Sequence, residues 1–98
     1  MIRVIVQDEN CTEVGEGIDI PAHILSRPDD TRFNCLRFVD PYGDTIFNRI
    51  QCVALLEDIR LIRQTGETTQ YEAAIKHMES LIKRCQSETH LYLKFIGD

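Results

Sequence analysis

The sequence predicts an α+β domain in which a largely antiparallel sheet packs on a two-helix hairpin, in the chain order β(β)ββααβ. Three observations lead there. The chain opens on an alternating run of β-branched residues, its middle holds two long amphipathic stretches with their own start and stop signals, and alternation returns at the end.

In "MIRVIVQ", Ile2, Val4 and Val6 alternate with Arg3 and Gln7, and Ile5 adds apolar weight to the second face, which reads as a first strand. From Asp8 to Asp30 the pattern weakens. A brief second strand is expected around Ile18 and Ile20, followed by a single helical turn opened by Pro21. "RFNCLRFV" sets Asn34, Leu36 and Phe38 against Cys35, Arg37 and Val39 and is read as a strand. It runs into "DPYGD", where Asp40, Pro41 and Gly43 suit the first, second and fourth positions of a type I turn. "TIF" then returns as a short strand. Asn48 with Gln51 forms a capping-box pair before a helix whose buried stripe is Cys52, Leu55, Leu56, Ile59 and Ile62, and Gly66 closes it. Thr69 with Glu72 is expected to open a second helix by the same device. Its stripe is Tyr71, Ala74, Ile75, Met78, Leu81, Ile82 and Cys85. "HLYLKFIGD" is the last strand, placed either beside the first or in the middle of the sheet.

The 98 residues make one domain, residues 1–98, with enough apolar residues (43%) for a core of its own. No apolar run is long enough to span a bilayer, and the N-terminal run is too short and too soon followed by acids for a signal peptide, so a soluble, cytoplasmic protein is expected. Cys11, Cys35, Cys52 and Cys85 contain no C-x-x-C pair, and three of them fall on apolar-periodic positions, as buried reduced thiols do. Zinc ligation or Cys-His catalysis with His23, His77 and His90 lacks the required spacings. "VGEG" lacks the lysine and third glycine of a phosphate cradle, and a net charge of −5 with no basic helix argues against nucleic acid as a partner. No cofactor motif is present.

"FVDPYGDTIFNR" concentrates polar and turn-forming residues, Asp40, Pro41, Gly43, Asp44 and Asn48 falling within one short stretch. Asp40 and Asp44 straddle its turn, as a cation pair or an acid/base pair would, yet each has a structural use at the turn and at the following helix. The stretch fails the calcium-loop pattern because Tyr42 stands where a ligand is needed and no glutamate closes the set. "DPYGDTIFN" and the terminal "LYLKFIGD" resemble segments of small uncharacterised bacterial proteins of similar length. The resemblance implies no activity. It implies that the turn and the last strand form one unit, with Asp98 near Asp40 and Asp44 and a cation such as Arg49 or Arg37 to offset them. A small metal-dependent or acid/base hydrolase using Asp40, Asp44, His90 and Asp98 is therefore the alternative reading.

Charge gives the leading one. The whole net charge of −5 lies in residues 1–45, and Asp8 to Asp30 alone carries −6, with Arg27 the single cation. Such a segment is either a solvated loop or a recognition surface that steers a basic partner. The second reading predicts a non-enzymatic protein-binding or regulatory domain that uses Asp8, Glu9, Glu13, Glu16 and Asp19. A toxin-neutralising, immunity-like role fits its size and sign, and self-association stays open.

Overall fold

The computed structural model describes residues 1–66 and 69–98 as an α+β fold with one four-stranded antiparallel sheet. The elements are β1 (Ile2–Asp8), β2 (Glu13–Ile20), the single turn α1 (Ala22–Leu25), β3 (Asp44–Phe47), α2 (Arg49–Thr65), α3 (Glu72–Ser87) and β4 (Leu91–Ile96). The strand order is β2-β1-β4-β3. The last strand thus sits both beside the first and inside the sheet, which hides its main chain on both sides and leaves β2 and β3 as edges.

Alternation in β1 and β4 does what the sequence predicts. Ile2, Val4, Val6, Leu93 and Phe95 are buried on one face under the helices, and Phe95 meets Phe47 edge-on at 5.6 Å between ring centroids. α2 contributes Cys52, Leu55, Ile59 and Ile62 to this core, and α3 contributes Ile75, Met78, Leu81, Ile82 and Cys85. The Asn48–Gln51 capping box forms in full at 2.9 Å in each direction, and Gly66 ends α2 in the left-handed conformation. The two helices run against each other in opposite senses: Cys52 meets Cys85, while Arg63 near the other end of α2 meets Glu72 and Glu79. The joint between them crosses residues 67 and 68, which lie outside the described residues.

Three expectations need correcting. The stretch 32–39 is not a strand; Leu36–Phe38 is a turn of 3₁₀ helix. The stretch buries Phe33, Cys35, Leu36 and Val39, a pattern that includes adjacent residues and so does not fit the period of two of a strand with one buried face. The deciding contact comes from α2. Asp58, 1% exposed, accepts the main-chain N–H groups of Asn34 (2.9 Å), Cys35 (2.7 Å) and Leu36 (3.0 Å), donors that a sheet ladder would have needed. The chain order is therefore ββαβααβ. Secondly, β2 is a strand of eight residues rather than a brief one, so Glu13, Glu16 and Asp19 lie on a strand and not in a loop. Its pairing with β1 shifts between Val4 and Val6, where a bulge at residues 15–17 breaks the alternation. Thirdly, the Thr69–Glu72 capping box does not form. Thr69 Oγ1 donates to Gly66 O within a 3₁₀ turn, Tyr71 is the N-cap, and Glu72 turns to Arg63.

Candidate functional site

The five acidic residues of the leading reading occupy the β1–β2 ribbon at one edge of the sheet. Asp8 closes β1, and its Oδ1 accepts the N–H groups of Asn10 (2.9 Å) and Thr12 (3.0 Å), which holds the turn and lets Cys11 adopt a positive φ of 64°. Glu9, at the turn, lies 3.2 Å from His90 Nδ1. Asp19, directly opposite Arg3 across the ladder, accepts from its guanidinium at 3.3 Å. Glu13 and Glu16 are exposed, and among the described residues neither has an ion-pair or hydrogen-bond partner for its carboxylate. Further along, Asp30 is neutralised locally: Arg32 donates to both carboxylate oxygens, the shorter contact being 2.7 Å, and this hydrogen bonding holds the acid at about 2.

The register shows what else this edge offers. Asp8 N–H donates to Thr12 O, and in an antiparallel ladder the hydrogen-bonded pairs alternate. Val6, Val4 and Ile2 therefore aim their main-chain groups at Val14, Ile18 and Ile20, and the main-chain groups of Glu13 and Asp19 point out of the sheet. At the bulge, Glu16 O also points out and accepts from His77 Nε2 on α3 at 2.9 Å, which fixes the proton on that nitrogen. His77 is thus a polar contact that joins α3 to the strand edge. Nothing local signals it, because its partner is a main-chain carbonyl of a residue 61 positions away. Beside it, Glu16, Gly17, Ile18, Ala73, Ala74 and His77 line a groove of about 400 Å³.

The residues of the alternative reading are brought together only in part. The turn and the C-terminus do join: Gly97 N–H donates to Gly43 O (2.8 Å) and Asp98 N–H to Pro41 O (3.1 Å), extending the β3–β4 ladder. Asp40 Oδ1 accepts from Tyr42 N–H at 2.8 Å, and Gly43 N–H reaches Asp40 O at 3.5 Å, so Asp40 is engaged in the turn itself. Asp44 faces Lys94 at 3.4 Å, and Asp98 faces the Met1 amino group at 3.5 Å. The offsetting cations are these two and not Arg49 or Arg37, whose guanidinium lies 4.6 Å from the Phe38 ring centre. His90 precedes β4 whereas Asp44 pairs with Ile96 at its far end, roughly 20 Å away at the rise of an extended strand. Among the described residues, no three His, Cys, Asp or Glu side chains are grouped as a metal site requires.

The thiols form a further cluster without an outlet. Cys35, Cys52 and Cys85 are buried and Cys11 is exposed. Burial, with the charge of Asp58 beside it, pushes the Cys35 thiol up to about 11, and the Cys52 thiol is pushed up by its hydrogen bond with Cys85 and by burial. Comparison with protein-family profiles, with curated proteins and with solved structures gives no match.

Proposed function

We propose that the protein is a non-catalytic binding module whose acidic β1–β2 ribbon meets a partner protein with a basic surface. The observation that carries this reading is the state of Glu13 and Glu16: two carboxylates that pair with no cation among the described residues, held on an exposed edge strand rather than in a loose loop. Fixed carboxylates on one edge create a directional negative potential, which accelerates encounter with a basic surface and disfavours partners of like charge. A toxin-neutralising role is one form such a contact takes. Hydrolytic chemistry at Asp40 and Asp44 has less support, since Asp44 and Asp98 each face a cation and His90 stands at the other end of β4.

The test uses capture from the source cells under matched salt. Wild type should retain a basic protein at low salt that the folded Glu13→Lys/Glu16→Lys double variant does not. Equal capture by both would remove the acidic edge from consideration.

A further inference from the structure

We infer that the groove between β2 and α3 receives an extended, basic segment of the partner, which adds as a strand to the β2 edge and places one small apolar side chain between Ile18 and Ala73. The inference rests on the binding reading above and specifies how the contact is made.

The first support is the state of the edge. β2 has a paired neighbour on one side only, and its outward main-chain groups at Glu13 and Asp19 have no partner strand. Edge strands of this kind pair readily with an added strand, main-chain hydrogen bonds giving affinity and alternate side-chain pockets giving selectivity. The bulge and the His77 bond to Glu16 O cover only the middle of the edge, so addition is directed to Gly17–Ile20, beside the groove.

The second support is the shape beside that edge. Where a helix flanks a sheet, long side chains usually fill the angle between them. Here the α3 wall is Ala73 and Ala74, and β2 supplies Gly17, which brings only main chain, and the half-buried Ile18. The resulting space of about 400 Å³ admits a valine-sized side chain and leaves room for the backbone that carries it.

The third support is charge, and it selects the occupant. Glu16 stands at the groove and Glu13 and Asp19 lie on either side of it along the strand. Two of these carboxylates are unpaired, and the third is held only by the exposed Arg3 pair, a contact of little energy that a new cation can replace. A segment with lysine or arginine on either side of its apolar residue complements this edge; an acidic or uncharged segment does not.

The probe is a synthetic peptide of sequence Lys-Arg-Val-Lys-Val-Arg, acetylated and amidated, titrated into ¹⁵N-labelled full-length protein. The expected result is saturable shifts at the amides of Gly17, Ile18, Asp19, Ala73 and His77, with a dissociation constant below about 1 mM. Methylating alternate peptide nitrogens should weaken binding by about tenfold or more, as loss of main-chain pairing requires. Ala73→Leu, at an exposed helical position where leucine is well tolerated, should do the same by filling the groove. Absence of saturable shifts, shifts centred at Asp8–Cys11 or at Arg49–Val53, or indifference to both changes would overturn the inference. Failure of the broader reading looks different. If the captured cellular partner is lost by Glu13→Lys/Glu16→Lys but kept by Ala73→Leu, the acidic edge stands and the groove falls.

Discussion

Asp58 is the residue on which the irregular third of the chain depends. Its carboxylate is buried and takes three main-chain N–H groups from a segment that otherwise lacks regular partners. Removing it strands those donors in the interior, so Asp58→Ala should lower stability by about 3 to 5 kcal/mol, a large share of what a domain of this size has. Asp58→Asn should cost less, since it keeps one acceptor oxygen while turning an N–H₂ toward a donor. Equilibrium unfolding in urea measures both. The thiols give a second expectation at this scale. In native buffer a disulfide reagent should modify Cys11 rapidly and the other three only as fast as the protein unfolds, because burial denies the reagent access to all three and, at Cys35 and Cys52, also raises the thiol pKa. Rapid reaction of Cys52 or Cys85 would contradict the packing of α2 on α3.

Between elements, two joints carry specific expectations. The C-terminus docks on the DPYGD turn at Gly97, where an added Cβ would overlap the Pro41 carbonyl. Gly97→Ala must push that turn away and strain two main-chain hydrogen bonds, a cost of about 1 to 3 kcal/mol visible in the melting temperature. Gly43, by contrast, is not in the left-handed region, so its turn does not require glycine for its φ. The second joint is Arg63, which holds Glu79 at 2.9 Å and Glu72 at 3.0 Å across the two helices. Hydrogen bonding to Arg63 lowers the Glu79 pKa below the usual 4.5, so its contribution to stability is present above that value and is lost as pH falls through the depressed one. Glu79→Gln should therefore lower stability at pH 7 and flatten the decline that acid unfolding curves show as pH falls below the usual glutamate range. The two helices and the caps of α2 were legible because their signals are local: Asn48 and Gln51 are three residues apart, and the stripes repeat within each helix; the start of α3 was not, because Glu72 turns to Arg63 on the other helix instead of back to Thr69. Residues 33–39 were not, because Asp58, more than twenty positions away, decides their conformation. β2 was legible only at its Ile18–Ile20 end because the bulge at residues 15–17 interrupts its period. The acidic character of the edge could be read from composition. Which of its carboxylates are paired could not, since Arg3 and His90 reach Asp19 and Glu9 through the fold.

The whole molecule has one sheet face closed by helices and one left open. On the open face Ile5 is only 6% exposed, with Arg3 and Lys94 beside and opposite it and matched by Asp19 and Asp44, while Ile46, on the far side of Lys94, is half exposed. No helix of the described residues is long and apolar enough to cross a membrane. The unbalanced features lie instead at the β2 edge, where carboxylates without partners, outward main-chain groups and a groove coincide. In the function proposed above, this edge guides a basic partner in. The direct measurement is the association rate of the captured partner with wild type and with Glu13→Lys/Glu16→Lys across a salt series. Association of the variant should be several-fold slower at low salt, the difference closing near about 0.5 M, where the screening length is about 4 to 5 Å, with little change in dissociation. Equal association rates at low salt, with the variant folded, would contradict it.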